Sequence, residues 1–201
     1  MERIATVILA AGEASRMGQP KQLLKIGEQN LVQRMVHTVL AAQCQRAFVV
    51  TGAYADEVRS TVGTTLAHCV HNTSWKEGMG SSIRTGVHAA VSSYPDTEAI
   101  IILLCDQPLI TPQLLRKLAI TYLITRQSMV VSAYDGIQGV PALFRAHLFP
   151  ELLQLSGSTG ARAFIRSHTG GAIAVPFSEG RYDVDTPEDY EAIKQIMGLS
   201  S

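Results

Sequence analysis

The sequence predicts an α/β fold built on a mostly parallel sheet with helices on both sides. Two observations carry this prediction: strand-like and helix-like segments alternate along the chain, and the segments Ile4–Leu9 and Ala99–Leu104 consist almost entirely of apolar residues. Alternating units of this kind form parallel sheets whose strands are buried on both faces. The 201 residues, 46% hydrophobic and 17% charged, suffice for one such core. We therefore expect a single domain over residues 1–201.

The first half of the chain supplies three strands and three helices. The segment Leu31–Ala42 has apolar residues at helical spacing. The segment Tyr54–Val62 has Asp56 and Glu57 in its first turn, where negative charge stabilises a helix. The predicted strands are Ile4–Leu9, Ala47–Thr51 and Leu66–His71, and the predicted helices are Leu31–Ala42, Tyr54–Val62 and Ser81–Val91.

The second half begins with the strand Ala99–Leu104. The next helix is capped by Thr111 and opened by Pro112, a pair typical of helix starts, and it runs to about Tyr122. Two apolar segments around the turn at Asp135-Gly136 indicate a β excursion. The other predicted strands are Met129–Ala133, Gly139–Phe144 and Ile173–Val175, and the other predicted helices are His147–Leu155, Gly160–His168 and Pro187–Met197, the last capped by Thr186.

The overall charge and composition argue against several classes of partner. Lysine and arginine together number 17, as do aspartate and glutamate, so the formal net charge is zero. A nucleic-acid-binding protein usually has a basic surplus, so we expect no nucleic-acid partner. No apolar run is long enough to span a membrane, and three isolated cysteines fit a reducing compartment. With no leader segment before the first strand, we expect a cytoplasmic protein without a membrane partner.

A loop of small residues follows the first strand and carries two cations. Ala10, Ala11 and Gly12 let the backbone turn tightly and approach a ligand closely, and Arg16 and Lys21 follow. Backbone N–H groups and cationic side chains together bind polyphosphates. The alternative is an ordinary turn with two solvated cations. The candidate phosphate-binding residues are Leu9, Ala10, Ala11, Gly12, Arg16 and Lys21.

Two acidic positions are candidates for metal binding. Asp106 closes the apolar strand Ala99–Leu104, and Mg²⁺ that bridges phosphate oxygens would offset the cost of burying its carboxylate. The alternative there is a capping or loop aspartate. Asp185, in the run D-V-D-T-P-E-D, fits a metal ligand or an acidic residue at a helix start equally well. Asp183 is the fallback, because we expect the two aspartates to lie on different or skewed faces.

A segment rich in glycine and serine precedes the third helix. Gly78, Gly80, Ser81 and Ser82 lie where free N–H groups and hydroxyls bind a base edge or an anion. The alternative is a capped helix after a loop. We assign these four residues, together with Asp106, to nucleotide binding.

Taken together, these motifs resemble those of a known enzyme family. The runs L-A-A-G-x-x-x-R-M-G-x-P-K, D-Q-P-L and D-x-D-T-P-E-D are similar to signature segments of nucleotidyltransferases, most of all the branch that acts on the molybdenum cofactor. The resemblance covers nearly the whole chain. It implies a three-layer α/β/α, Rossmann-like nucleotidyltransferase domain of the GT-A-like type. In that domain Asp106 and Asp185 bind Mg²⁺, and Arg16 and Lys21 are the catalytic residues.

The resemblance also implies substrates and partners. It favours CTP over GTP as the nucleotide, from the form of the segment around Gly78, and a molybdopterin-type acceptor that receives CMP as pyrophosphate is released. It further implies a transient contact with a molybdenum hydroxylase or its chaperone.

The acceptor side departs from the family pattern at two positions. The family runs G-x-P-x-x-F and L-x-G-D-x-G-A-R correspond here to Gly139, Pro141 and Arg162, which we assign to acceptor binding. Val140 stands where a polar residue is common, and Ser158 stands where aspartate is usual. Two alternatives therefore stay open. One is another phosphorylated acceptor, such as a sugar or polyol phosphate, and the other is a non-catalytic carrier of the cofactor for a molybdenum hydroxylase.

Overall fold

The computed structural model describes residues 2–13, 18–168 and 170–199. Its strands are β1 (Ile4–Ala10), β2 (Lys25–Ile26), β3 (Gln29–Asn30), β4 (Arg46–Thr51), β5 (His68–His71), β6 (Ala99–Leu104), β7 (Met129–Tyr134), β8 (Ile137–Arg145) and β9 (Ala172–Pro176). Its α-helices are α1 (Leu31–Ala41), α2 (Ala55–Val62), α3 (Met79–Ser93), α4 (Pro112–Thr125), α5 (Phe149–Leu152), α6 (Ala161–Ser167) and α7 (Pro187–Ile196). The main sheet has the order β5-β4-β1-β6-β8-β7-β9, and β2 pairs with β3 separately.

Strand β1 lies at the centre of the parallel part of the sheet. It pairs in parallel with β4 and with β6, and β4 pairs in parallel with β5. All seven residues of β1 are buried, as expected for a strand covered on both faces. Because the strands run in parallel, Ala10, Thr51 and Leu104 end at the same edge of the sheet.

The predicted β excursion is a hairpin inserted into the sheet. Strand β8 pairs antiparallel with both β6 and β7, and β9 pairs in parallel with β7. The two-residue turn at Asp135 and Gly136 has φ values of 48° and 73°, the conformation of a type I′ hairpin turn. The predicted α/β fold with a mostly parallel sheet is therefore confirmed, with β8 as the reversed strand.

Helices cover both faces of the sheet. Residues of α1, α2 and α4 pack into one buried cluster against the sheet, and residues of α3, α5 and α6 pack into a second cluster. A third, smaller cluster joins Val184 and Ile193, at the carboxyl end of the chain, to Leu24, Ile26 and Leu31. This small cluster matters for the site, because it attaches the segment before α7 to the segment after the β1 loop.

Several predicted boundaries differ from those of the structure. The segment His147–Leu155 is not one helix: a 3₁₀ turn at Ala146–Leu148 leads into the four-residue helix α5. Pro150 has no N–H to donate to Ala146, so a continuous α-helix cannot form across this position. Helix α3 begins at Met79, two residues before the prediction. Within the ranges that the structure describes, no helix is long and apolar enough to cross a membrane.

Candidate active site

A cleft of about 340 Å³ lies where β1 and β6 end. Open α/β sheets bind their ligands beyond the carboxyl ends of parallel strands, so this is the expected position for a ligand. The sequence-predicted residues that line this cleft are Leu9, Ala10, Ala11, Gly12, Lys21, Gly78, Ser82 and Asp106. We call it the nucleotide cleft, after the role that the sequence predicts for these residues. Arg16 lies outside the described residues, and its role stays a prediction.

Lys21 lies between two carboxylates at this cleft. Its Nζ forms an ion pair with Asp185 Oδ1 and lies 3.9 Å from Asp106 Oδ2. The backbone N–H of Val184 donates to the carbonyl of Asp106 at 2.9 Å, which holds the segment before α7 against the end of β6. The structure thus brings together a lysine and two acids that are far apart in the sequence.

Asp106 has a strongly perturbed environment. Burial raises the pKa of its carboxyl to about 7, the charges of Asp183 and Asp185 act in the same direction, and Lys21 opposes them. Its Oδ1 atom is buried and has no hydrogen-bond partner among the described residues. Because an unpaired buried carboxylate oxygen is costly, Asp106 Oδ1 is well suited to contact a bound cation.

The expectation that Asp183 and Asp185 lie on different faces is wrong. Val184 between them is fully buried in the third cluster, and both aspartates raise the pKa of Asp106 through their charge. Burial of Val184 thus leaves both neighbours near Asp106, and Asp185 pairs with Lys21. Burial also raises the pKa of Asp183, which joins the group as a third carboxylate.

The alternative for Asp185 was an acidic residue that serves the start of a helix. In the structure Asp189, not Asp185, has this role. Thr186 Oγ1 accepts from the N–H of Asp189 at 3.2 Å, and Asp189 Oδ2 accepts from the N–H of Thr186 at 2.9 Å. This reciprocal pair caps α7, with Pro187 at its first position. Because Asp189 caps the helix, the side chain of Asp185 remains available to Lys21.

Asn72, which the sequence analysis did not identify, organises the start of α3. Its side-chain amide donates to Ser81 Oγ at 2.8 Å and to Ser82 Oγ at 3.1 Å. Ser81 Oγ in turn lies within hydrogen-bond distance of the carbonyls of Ser74 and Gly78. Ser82 is thereby fixed at the wall of the nucleotide cleft.

Gly80 and Ser81 line neither cleft described here, and their assignment to nucleotide binding stays a prediction. A Cβ at Gly80 would meet the backbone of Ser156 at 3.1 Å, and the Gly80 N–H donates to the carbonyl of Gly157 at 3.1 Å. Ser81 is 1% exposed and its hydroxyl is engaged with the backbone. Both residues therefore shape the loop and its packing.

A second cleft, of about 510 Å³, shares Leu9, Met79 and Leu104 with the first. Gly139 and Arg162 line this acceptor cleft, as do the departing residues Val140 and Ser158. Arg166, which the sequence analysis missed, lines it too. Its spacing of four residues from Arg162 places both side chains on one face of α6, and this spacing was the available signal.

Pro141 does not line the acceptor cleft, and its assignment to acceptor binding stays a prediction. Its carbonyl accepts a hydrogen bond from Ser132 Oγ at 2.7 Å, within the β7–β8 pair. Tyr134 and Asp183 occupy the cleft wall. Burial raises the pKa of the Tyr134 phenol, the charge of Asp183 adds to that rise, and Arg162 lowers it.

The fold and site together define a class of nucleotide-binding α/β enzymes, with a small-residue loop, a lysine and a carboxylate cluster at the carboxyl edge of the sheet. Residues 6–172 match the MobA-like NTP transferase domain, and the chain belongs to this family. It is therefore a nucleotidyltransferase, and the resemblance seen in the sequence is confirmed.

Curated relatives match almost the full length of the chain. Purine catabolism protein PucB of Bacillus subtilis (strain 168) is 30% identical, with 95% of this chain and 96% of that protein covered. Nicotine blue oxidoreductase of Paenarthrobacter nicotinovorans is also 30% identical, with 98% and 96% covered. Molybdenum cofactor cytidylyltransferase of Escherichia coli (strain K12) is 24% identical, with 97% of each covered.

Solved structures agree with the fold. Rv0371c from Mycobacterium tuberculosis H37Rv is 28% identical with a TM-score of 0.80, and the match covers 96% of this chain and 98% of that one. A structure of Rv0371C in complex with manganese is 26% identical with a TM-score of 0.77, at the same coverage. Nucleotidyltransferases of this family usually use a divalent metal.

Proposed function

We propose that this protein transfers CMP from CTP to molybdopterin and releases pyrophosphate. The observation that carries the proposal is the convergence of Lys21, Asp106 and Asp185 beside the small-residue loop, with Lys21 and Asp106 in the wall of the nucleotide cleft. In this reaction a phosphate oxygen of the acceptor forms a bond to the α-phosphorus of CTP. The bond from that phosphorus to the β-phosphate oxygen breaks, and pyrophosphate leaves.

The nucleotide cleft supplies the groups that this reaction needs. Backbone N–H groups of the loop at Ala11 and Gly12 bind phosphate oxygens, and the Lys21 ammonium offsets the charge that develops on the leaving pyrophosphate. We assign Arg16 to the same triphosphate. Little covalent work is required of the protein, since positioning and charge stabilisation supply most of the catalysis of phosphoryl transfer.

The carboxylates fit a magnesium ion. Asp106 Oδ1 has no partner among the described residues, and carboxylate oxygens are the hard ligands that Mg²⁺ prefers. Within the described part of the chain, no group of three or more histidine, cysteine or acidic side chains is arranged to hold a metal alone. Asp106 and Asp185 would therefore share the ion with phosphate oxygens. When bound, Mg²⁺ would supply positive charge that offsets the negative charge of the triphosphate.

The acceptor cleft fits a phosphorylated acceptor. Arg162 and Arg166 present two guanidinium groups to it, and guanidinium is well matched to phosphate oxygens. Support for molybdopterin comes from the Escherichia coli relative, which matches over nearly its full length, and support for CTP comes from that relative's name and the Gly78 segment. We also expect the product to pass to a molybdenum hydroxylase or its chaperone in the cytoplasm.

Pyrophosphate release tests this proposal. The protein is incubated with Mg²⁺ and each of the four common nucleoside triphosphates, with and without molybdopterin. We expect release with CTP and molybdopterin together, and none from a Lys21→Ala variant that keeps its circular dichroism spectrum. Release with GTP alone among the nucleotides would contradict the base preference. Release with a sugar or polyol phosphate in place of molybdopterin would support the other acceptor.

Two further outcomes separate the remaining alternatives. Binding of molybdopterin without pyrophosphate release from any nucleotide would identify a carrier in place of an enzyme. Because one relative is named nicotine blue oxidoreductase, the same protein is assayed for reduction of that dye by a reduced nicotinamide cofactor. Dye reduction without nucleotidyl transfer would contradict the proposal.

A further inference from the structure

Gln22 is a buried amide that contacts the phosphate-binding loop directly. It is 3% exposed, and its Nε2 donates to the carbonyl of Ala10 at 3.0 Å and to the carbonyl of Gly12 at 2.7 Å. Because both partners are carbonyl oxygens, the nitrogen of the amide must face the loop. Gln22 thus connects the two ends of the tight turn that follows β1.

The two hydrogen bonds from Gln22 are part of a series along the backbone of this loop. Every carbonyl from Leu9 to Glu13 accepts a hydrogen bond from outside the loop. The donors, in order, are the Cys105 N–H at 3.2 Å, Gln22 Nε2 at 3.0 Å, the Ala53 N–H at 3.2 Å, Gln22 Nε2 again at 2.7 Å, and Tyr54 Oη at 3.1 Å. Gln22 supplies two of these five bonds from one side chain.

This arrangement favours an anion at the loop for two physical reasons. A donor on each carbonyl offsets the negative end of that peptide dipole, which would otherwise repel phosphate oxygens. The same bonds fix the backbone before a ligand arrives, so less conformational freedom is lost on binding. Both effects act on the N–H groups that the proposed function assigns to the triphosphate.

Gln22 makes these two contacts at a cost in stability. Gln22 Oε1 is buried and has no hydrogen-bond partner among the described residues. Methionine of similar length would fill the same space without an unpaired oxygen, and it would lose only the two donated bonds. The amide at position 22 is therefore retained at a cost that its contacts to Ala10 and Gly12 have to offset.

We propose that Gln22 is a positioning residue that sets the affinity of the loop for the triphosphate, through the carbonyls of Ala10 and Gly12. This inference rests on the proposed function, and it assigns different roles to the adjacent residues Lys21 and Gln22. Lys21 provides the charge at the carboxylate cluster, and Gln22 holds the backbone that receives the phosphates.

Equilibrium binding of magnesium tripolyphosphate tests this role without involving a base or an acceptor. The variants are Gln22→Met, which removes both donors, and Gln22→Glu, which keeps the shape but places carboxylate oxygens against two carbonyls. Gln33→Met is the control, because Gln33 also donates from its amide to a backbone carbonyl, that of Thr61 at 3.2 Å, and lines neither cleft. Thermal unfolding of each variant is measured in parallel.

We expect Gln22→Met to bind tripolyphosphate about tenfold more weakly, the scale of one or two ordinary hydrogen bonds, and Gln22→Glu to bind more weakly still. Gln33→Met should bind tripolyphosphate as tightly as the parent protein does, even if its unfolding temperature falls by as much as that of the Gln22 variants. In turnover, the KM for CTP should rise in the Gln22 variants, while the KM for the acceptor stays unchanged. Amide exchange at residues 10–13 of the ligand-free protein should be faster in both Gln22 variants than in Gln33→Met.

Parent-like binding by both Gln22 variants, or equal weakening by Gln33→Met, would overturn the positioning role while leaving the proposed function intact. If the parent protein binds neither tripolyphosphate nor any nucleoside triphosphate, the proposed function fails, and this inference fails with it. Unchanged amide exchange in both Gln22 variants would refute the proposal that Gln22 fixes the loop backbone, even if the affinity for tripolyphosphate falls.

Discussion

Replacing Lys21 with methionine should raise metal affinity and lower turnover at the same time. Methionine keeps most of the apolar length of the lysine stem and removes the ammonium group that pairs with Asp185 and faces Asp106. In the ligand-free protein this ammonium competes with a divalent cation for the same carboxylates. In the reaction it offsets charge on the triphosphate, so its loss should slow catalysis.

The magnitude follows from the geometry. A unit charge 3.9 Å from Asp106 Oδ2 is worth about 1 kcal/mol in a water-like medium and about 4 kcal/mol at the effective dielectric constant of a protein surface. The Asp185 side chain is 50% exposed, so solvent screens its interaction with Lys21. The lower part of this energy range therefore applies. A gain of about 1.4 kcal/mol corresponds to roughly tenfold tighter metal binding. Loss of a charge-stabilising group in the transition state typically lowers kcat by about 10²–10³.

Two assays check the two effects separately. Titration with Mn²⁺, followed by electron paramagnetic resonance without nucleotide, measures the affinity of the carboxylates for a metal. Pyrophosphate release with CTP and molybdopterin measures turnover. Unchanged Mn²⁺ affinity in Lys21→Met would show that Asp106 and Asp185 do not form the metal site, whatever happens to turnover. Unchanged turnover would remove Lys21 from the reaction.

Three other predictions concern the metal, the core and the acceptor. Asp106→Asn should raise the Mg²⁺ concentration for half-maximal velocity by roughly 10- to 100-fold, and an unchanged titration would count against the metal assignment. Gly86→Ala, whose new Cβ would overlap Val7 and lie 3.0 Å from Val50 Cγ2, should lower the free energy of unfolding by about 1–2 kcal/mol in denaturant titration. Gly170→Ala is the control for Gly86→Ala, because a Cβ at Gly170 would meet nothing within 4 Å. Equal stability of the two variants would contradict the overlap expected at Gly86. Arg166→Gln should raise the KM for the acceptor about fivefold without changing the KM for CTP, whereas a parallel change in both would argue against a role specific to the acceptor.

Much of the fold could be predicted because its signals are local. The apolar run that forms β6 has the same bounds in the structure as in the prediction. Thr111 accepts from the N–H of Leu114 at 3.2 Å, as the cap-and-proline pattern at the start of α4 indicated. The helix predicted at His147–Leu155 was wrong, since its apolar spacing suggested a helix while Pro150 interrupts the hydrogen bonding of a continuous one.

The site was only partly predictable. Lys21, Asp106 and Asp185 belong to motifs that can be recognised in the sequence, whereas Gln22 and Asn72 act only through hydrogen bonds to groups that the fold brings to them. Gly80 and Ser81 satisfied the expected glycine and serine pattern, yet they pack into the loop instead of facing the cleft. Residue type alone therefore did not decide which side chains line the cleft.

The sequence by itself determined that this chain folds as an α/β sheet with a loop of small residues after its first strand, because apolar runs, caps and small residues act over a few neighbouring positions. Only the tertiary structure decided that Lys21 meets Asp185, 164 residues later. It also decided that Asp183 and Asp185 both lie near Asp106, since burial of Val184 in a cluster with Leu24, Ile26 and Leu31 holds this segment there. Such contacts depend on the packing of distant segments, which local spacing does not encode.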